Sequence, residues 1–296
     1  MTPITPDASS ESLSGHQVLD FADLETRLPK LAESYRAAEP FPHIVFDEFL
    51  DPDIARAAAA EFDPPDSDEW NSFVHVNERK YSNTAPETWG SASRSILDVL
   101  QSDRFVKFLT DLTGIEDLLR DDALEGGGLH QSRRGGFLNV HADYTVHPKH
   151  RHWRRRVNVL VYLNPEWRDE YGGELELWSR DMKHKVESVA PTCNRAVIFT
   201  TDMDSFHGHP DPLQCPEDLA RRSLALYYFT EETAPVVRST EYRSRPGEGW
   251  RAVPIYLDKQ LLRGYDWTKR RIGLSDEATS KVLRRIDRLR RRGRSS

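Results

Sequence analysis

His141, Ala142 and Asp143 set an imidazole and a carboxylate two residues apart, and Phe206-His207-Gly208-His209 supplies two further imidazoles far downstream. On an extended chain residues i and i+2 project to the same side, so His141 and Asp143 share a face. One imidazole and one carboxylate from a strand end, joined by an imidazole from a neighbouring strand, suit the facial triad of non-haem Fe(II), which leaves the opposite coordination positions open. Those positions can take a 2-oxo acid and then O2. Fourteen residues after His207 come Arg221, Arg222 and Ser223, heading an apolar run that ends at Phe229. A guanidinium is permanently charged and grips a carboxylate through two parallel hydrogen bonds. Arg221 is therefore expected to hold the far carboxylate of 2-oxoglutarate, with the Ser223 hydroxyl helping from the same strand face and Arg222 turned away. On the residues alone, His207 and His209 both remain open as the third metal ligand. A lone His-x-Asp is common by chance; the ordered set of His-x-Asp, strand histidine and Arg-x-Ser gives it weight.

These groups need a rigid frame. From Gly128 onward the pattern is β, with strand-sized runs at Gly135 to His141, Arg156 to Leu163, Glu174 to Trp178, His184 to Val189, Arg195 to Thr200 and Arg221 to Phe229, and a turn at Gly172-Gly173. Helical spacing predicts helices over Asp20 to Ala38, from Asp51-Pro52 through Ala60 to Phe62, over Ser93 to Leu100 and over Asp103 to Leu112. The expected fold is mainly β with flanking helices, a double-stranded β-helix or jelly-roll barrel whose mouth holds the metal.

The segment from about Pro40 to Phe229 resembles the prolyl-hydroxylase-type branch of the Fe(II)/2-oxoglutarate dioxygenases. It opens on Pro40-Phe41-Pro42-His43-Ile44-Val45-Phe46-Asp47-Glu48-Phe49-Leu50, similar to the start of the ribosomal-protein prolyl hydroxylases and their bacterial relatives. Val161 to Asn164, Gly172 to Leu175, Asn194 to Phe199 and Arg221 to Phe229 carry the likeness further. The resemblance implies iron on His141, Asp143 and His207, and favours His207 over His209. It also implies 2-oxoglutarate on Arg221 with Ser223 and Tyr162 nearby, and O2 as the oxidant. Halogenating relatives carry a small residue at the position of Asp143, so a hydroxylase is implied. It would insert one oxygen into a C–H bond of a prolyl or amino-acid-like substrate and release succinate and CO2. A sugar or lipid-linked substrate is the alternative, and a non-catalytic jelly-roll binding module the alternative of another class. The latter would need neither Arg221 nor the triad. A cupin-type metal site does not match, since its usual strand carries two histidines one residue apart followed by a glutamate.

Composition agrees with an enzyme rather than a scaffold or membrane protein. The 296 residues are long enough for one elaborated domain, with 38% hydrophobic content to fill a core. Cys193 and Cys215 fit no disulfide framework or zinc spacing, no run approaches the roughly 20 apolar residues of a membrane span, and the N-terminus lacks a secretion signal, so a cytoplasmic setting is expected. His147, His150 and His152 stand in a basic loop with Lys149, Arg151, Arg154, Arg155 and Arg156. Without cysteine they are read as solvated rather than as a second metal site. The loop either steers an anionic substrate or is ordered by one arginine while the rest are hydrated. Tyr144, Trp153 and Trp178 either line the pocket or pack its wall.

Three divisions are expected: a disordered stretch over 1–16, the dioxygenase domain over 17–235 with its barrel from about residue 126, and an extension over 236–296. From Lys269 to Ser296 there are eleven basic residues against three acidic ones, a net of +8 that leaves the rest near −15. Ser275 can cap a helix whose stripe of Val282, Leu283, Ile286 and Leu289 docks on the barrel or meets an anionic partner such as a membrane surface, while specific nucleic-acid binding is not expected.

Overall fold

The computed structural model describes residues 17–64 and 67–249. The stretch expected to be disordered and the basic C-terminal helix lie outside those residues. Within them the helices form where capping chemistry places them. Asp20 accepts from the Asp23 N–H at the start of α1 (Phe21–Ala37), and Asp51 does the same for α2 (Pro52–Ala60), where Pro52 fills the first helical position. The Glu61 carboxylate accepts from the N–H groups of Ala92 and Ser93 at 2.7 and 2.8 Å, capping α3 (Ser91–Leu100) from another element. Ser102 caps α4 (Asp103–Thr113), and Gly114 ends it at φ +71°, a left-handed conformation that glycine adopts without steric cost.

The strands are β1 (His43–Phe46), β2 (Asn71–Val74), β3 (Glu78–Asn83), β4 (Leu119–Arg120), β5 (Gly128–Arg133), β6 (Phe137–Ala142), β7 (Trp153–Tyr162), β8 (Leu175–Trp178), β9 (Lys185–Val189), β10 (Arg195–Thr200), β11 (His207–His209), β12 (Ala220–Glu231) and β13 (Glu241–Tyr242). Their order is β1-β10-β7-β12-β5-β3-β6-β11-β8-β9, all neighbours antiparallel. From β5 on, the chain alternates between the halves β10-β7-β12-β5 and β6-β11-β8-β9 except at the β8–β9 hairpin, which is the winding of a double-stranded β-helix, and β3 joins the halves. The expected jelly-roll barrel is the observed fold.

Side-chain alternation separates core from cavity. On β7, Val157, Val159 and Val161 pack under α3 and α4 with Ile96, Phe105 and Leu109, while Asn158 and Leu160 face into the barrel. A second apolar cluster gathers Phe41, Tyr162, Leu175, Leu177, Val189, Val197 and Phe199.

β2, β3 and β5 are not among the strands expected from apolar runs. They are polar because of where they lie: β2 is exposed throughout, and Lys80, His130 and Ser132 of β3 and β5 point into a polar cavity. The barrel also continues past residue 235, the expected domain end, because β13 pairs with β6 through Glu241 with Ala142 and Tyr242 with His141. Both cysteines are free. Among the described residues no helix is long and apolar enough to cross a membrane.

Candidate metal centre

His141 lies near the end of β6 and Asp143 just beyond it, while β11 places His207 directly opposite His141. The His141 Nε2 is 3.5 Å from Asp143 Oδ1 and the His207 Nε2 is 3.6 Å from Asp143 Oδ2, with the two rings 4.5 Å apart. Each ring is oriented the same way. The His141 Nδ1 meets the Asn139 carbonyl and the His207 Nδ1 meets the Ser205 carbonyl, both at 2.9 Å. A backbone carbonyl can only accept, so both Nδ1 atoms carry the proton and both Nε2 lone pairs face the carboxylate. Burial pushes the His207 imidazole down to about 4 despite the nearby carboxylate, which keeps it neutral. Two lone pairs and an anion converging without a proton between them are completed by a cation. One donor atom from each of the three residues lies within 4.8 Å of the others, and among the described residues this is the group that could hold a metal.

Arg155 and Asn158 are the residues the sequence reading did not assign. The Asn158 Nδ2 and the Arg155 guanidinium reach Asp143 Oδ2 at 2.8 and 3.0 Å, leaving Oδ1 free for a metal. Arg155 is buried, donates to Asn158 at 2.9 Å and lies over the Tyr227 and Tyr144 rings at 3.4 and 4.8 Å. Burial opposes ionisation of Asp143, but the Arg155 guanidinium outweighs it and holds the carboxyl well below its usual range. Strict alternation would put Arg154 and Arg156, not Arg155, on the face of Asn158. A register shift against Tyr228 and Phe229 of β12 reverses the parity and turns Arg155 inward.

The basic loop is ordered by several pairings rather than by one arginine. Arg154 pairs with Asp202 and Glu232 at 3.2 and 3.1 Å, and Lys149 pairs with Glu125 at 3.1 Å. The buried His147 accepts from the N–H groups of Lys149 and His150 and faces Asp121 at 3.2 Å, tying the loop down. Trp153 packs on His150 and Phe229, Trp178 donates to Glu176, and Tyr144 lines the metal cavity.

The triad shares a cavity of about 210 Å³ with Arg221, Ser223, His130 and His209. Arg221 is 7% exposed; its Nε donates to the Gly173 carbonyl at 2.7 Å and its Nη2 to the Tyr162 hydroxyl at 3.3 Å. Burial raises the Tyr162 hydroxyl, so it keeps its proton and can pass a hydrogen bond on. No carboxylate pairs with Arg221 among the described residues, which is unusual for a buried cation. Gly173 permits this arrangement: at φ +83°, a Cβ there would lie 2.5 Å from Leu213 Cδ2 and 3.0 Å from Arg221 Cδ. Arg222 points away, donating to the Ala59 carbonyl. Tyr162 stands behind Arg221, so of the expected co-substrate residues Arg221 and Ser223 line the cavity. The cavity thus joins a three-donor cation site to a buried, unpaired guanidinium.

Residues 127–229 match the profile of the 2OG-Fe(II) oxygenase superfamily. Among curated proteins, Prolyl 3-hydroxylase OGFOD1 of Mus musculus is 32% identical over 79 residues, which is 25% of this chain and 14% of that protein. A prolyl hydroxylase solved with a hypoxia inducible factor peptide fragment, from Trichoplax adhaerens, superposes with TM-score 0.52 at 18% identity, over 71% of this chain and 93% of that one. A Pseudomonas putida prolyl-4-hydroxylase gives TM-score 0.49 at 21% identity, over 69% and 100%. By its profile match and its barrel, the chain carries a domain of the 2OG-Fe(II) oxygenase superfamily at residues 127–229.

Proposed function

We propose that this chain is an Fe(II)- and 2-oxoglutarate-dependent hydroxylase, with His141, Asp143 and His207 as metal ligands and Arg221 as anchor of the co-substrate. The observation that carries the reading is the buried Arg221 guanidinium without a carboxylate partner, facing the same cavity as three converging metal donors. A structural cation would be paired; one awaiting a dicarboxylate would not. Iron held by these three residues would supply oxygen activation coupled to decarboxylation of 2-oxoglutarate to succinate and CO2.

The chain's own groups orient and exclude. Asn158 and Arg155 hold Asp143 so that one oxygen faces the metal. The Asn139 and Ser205 carbonyls fix both imidazole tautomers. Arg221, with Ser223 and Tyr162, sets the depth of the co-substrate, while Leu160 and Leu175 give the cavity an apolar wall. The substrate is a prolyl or other amino-acid-like group, in keeping with the mouse relative.

The test is anaerobic titration. A visible charge-transfer band should require both Fe(II) and 2-oxoglutarate, and succinate should form in air with a one-oxygen mass gain on substrate. Unaltered turnover in His141→Ala or Asp143→Ala would end the proposal.

A further inference from the structure

His209 is a buried imidazole that neither the triad nor the Arg221 network uses. It lies two residues beyond His207 on β11, so strand alternation puts both rings on the cavity side. Gly208 between them enforces the placement. A Cβ there would lie 2.8 Å from the Leu138 carbonyl oxygen and 2.9 Å from that of Asn139, so only glycine lets β11 press this closely on β6. The pairing slips at that point, from His207 opposite His141 to His209 opposite Leu138. The slip sets His209 opposite Leu138 rather than Asn139.

The β8 register says where it goes. His207 pairs with Leu177 and Gly208 with Glu176, so His209 comes level with Leu175, which lines the cavity. Two residues further along, Gly173 accepts from the Arg221 Nε. His209 therefore lines the cavity wall between the metal donors and Arg221.

The ring is only 5% exposed, and its Nδ1 is buried without a partner. His141 and His207 each satisfy Nδ1 on a backbone carbonyl two residues back, whereas the ring of His209 has no hydrogen bond among the described residues. A buried polar group left open is costly, and a ligand would explain it. The surroundings select an anion: Arg221 and Lys80 line the same cavity as His209. An imidazole carries at least one N–H in either tautomer, so the ring has a donor to give.

We propose that His209 is a co-substrate-binding residue, donating its imidazole N–H to the 2-oxoglutarate carboxylate that Arg221 anchors. The proposal rests on the 2-oxoglutarate reading above. It assigns His209 to the distal carboxylate, so its loss should matter for a dicarboxylic 2-oxo acid and not for a monocarboxylic one.

The experiment titrates 2-oxoglutarate and 2-oxobutyrate into the anaerobic Fe(II) form of the full chain, following the visible band in wild type, His209→Leu and His209→Asn. Fe(II) affinity is measured in parallel. His209→Leu should weaken 2-oxoglutarate at least about tenfold, the loss of one hydrogen bond to a charged group, with Fe(II) and 2-oxobutyrate binding unchanged. His209→Asn keeps an N–H donor and should recover most of the affinity. An unchanged 2-oxoglutarate affinity in His209→Leu, an equal loss for 2-oxobutyrate, or a loss of Fe(II) would each overturn the assignment. A wild type that gives no band with 2-oxoglutarate would instead remove the co-substrate reading.

Discussion

Replacing Arg155 with methionine would take the cation from a carboxylate that stays buried, since the side chains of Arg155 and Asp143 are 2% and 12% exposed. Breaking such a pair from one side costs about 3–5 kcal/mol, because the remaining charge keeps its desolvation penalty. The Asn158 hydrogen bond at 2.8 Å survives and offsets part of that loss. Stacking on Tyr227 and Tyr144 is lost as well, so the single variant does not isolate the pair. A double-mutant cycle with Asp143→Asn does: the asparagine keeps the shape without the charge, and the coupling energy should be about 3 kcal/mol. Urea denaturation of the metal-free protein, read as the midpoint at constant slope, gives each corner of the cycle. Saturating Mn(II) should raise the Tm of Arg155→Met more than that of wild type, because the metal replaces the missing countercharge. A coupling below about 0.5 kcal/mol would refute the claim that Arg155 holds Asp143 for the metal.

Arg221→Met should weaken 2-oxoglutarate by at least about thirtyfold, the loss of a buried charge pair, while equilibrium dialysis finds Mn(II) binding retained. Gly208→Ala would press a methyl group against the Leu138 and Asn139 carbonyls and should destabilise the fold by about 1–3 kcal/mol, with weaker metal binding as β11 shifts; calorimetry and metal titration check both. Stability of the metal-free protein should fall as pH drops below about 6.5. Burial pushes His130 down to about 3 and His207 to about 4, and holds His209 well below its usual range. Below about 6.5 the unfolded chain therefore binds protons that the fold refuses, at up to about 1.4 kcal/mol per pH unit for each group until its folded value is reached. Denaturant midpoints from pH 7.5 to 5 measure this, and a flat profile would show these imidazoles to be solvated.

Much of the site is legible in the chain order. His141 and Asp143 share a face whatever the rest of the fold does, because period-two alternation is a local property of extended backbone. Arg221, Ser223 and the outward turn of Arg222 follow from the same rule applied to one long apolar strand; helices α1, α2 and α4 follow from their caps and stripes, and α3 from its stripe alone, its cap Glu61 coming from another element. The jelly roll is readable from strand-sized apolar runs, but the polar strands β3 and β5 are not. Their composition is set by a cavity that exists only once the barrel closes.

Tertiary structure decided the remainder. Arg155 looks like one of several loop arginines until a register shift, caused by pairing with a distant strand, turns it onto Asp143. Asn158 has no local mark at all. His209 cannot be told from His207 by spacing, and its unpaired ring becomes visible only when β6, β8 and β11 are assembled around it. Sequence determines which way a side chain leaves its strand. Which charges meet inside the barrel depends on register between strands far apart in the chain, and a single-residue slip there exchanges one face for the other.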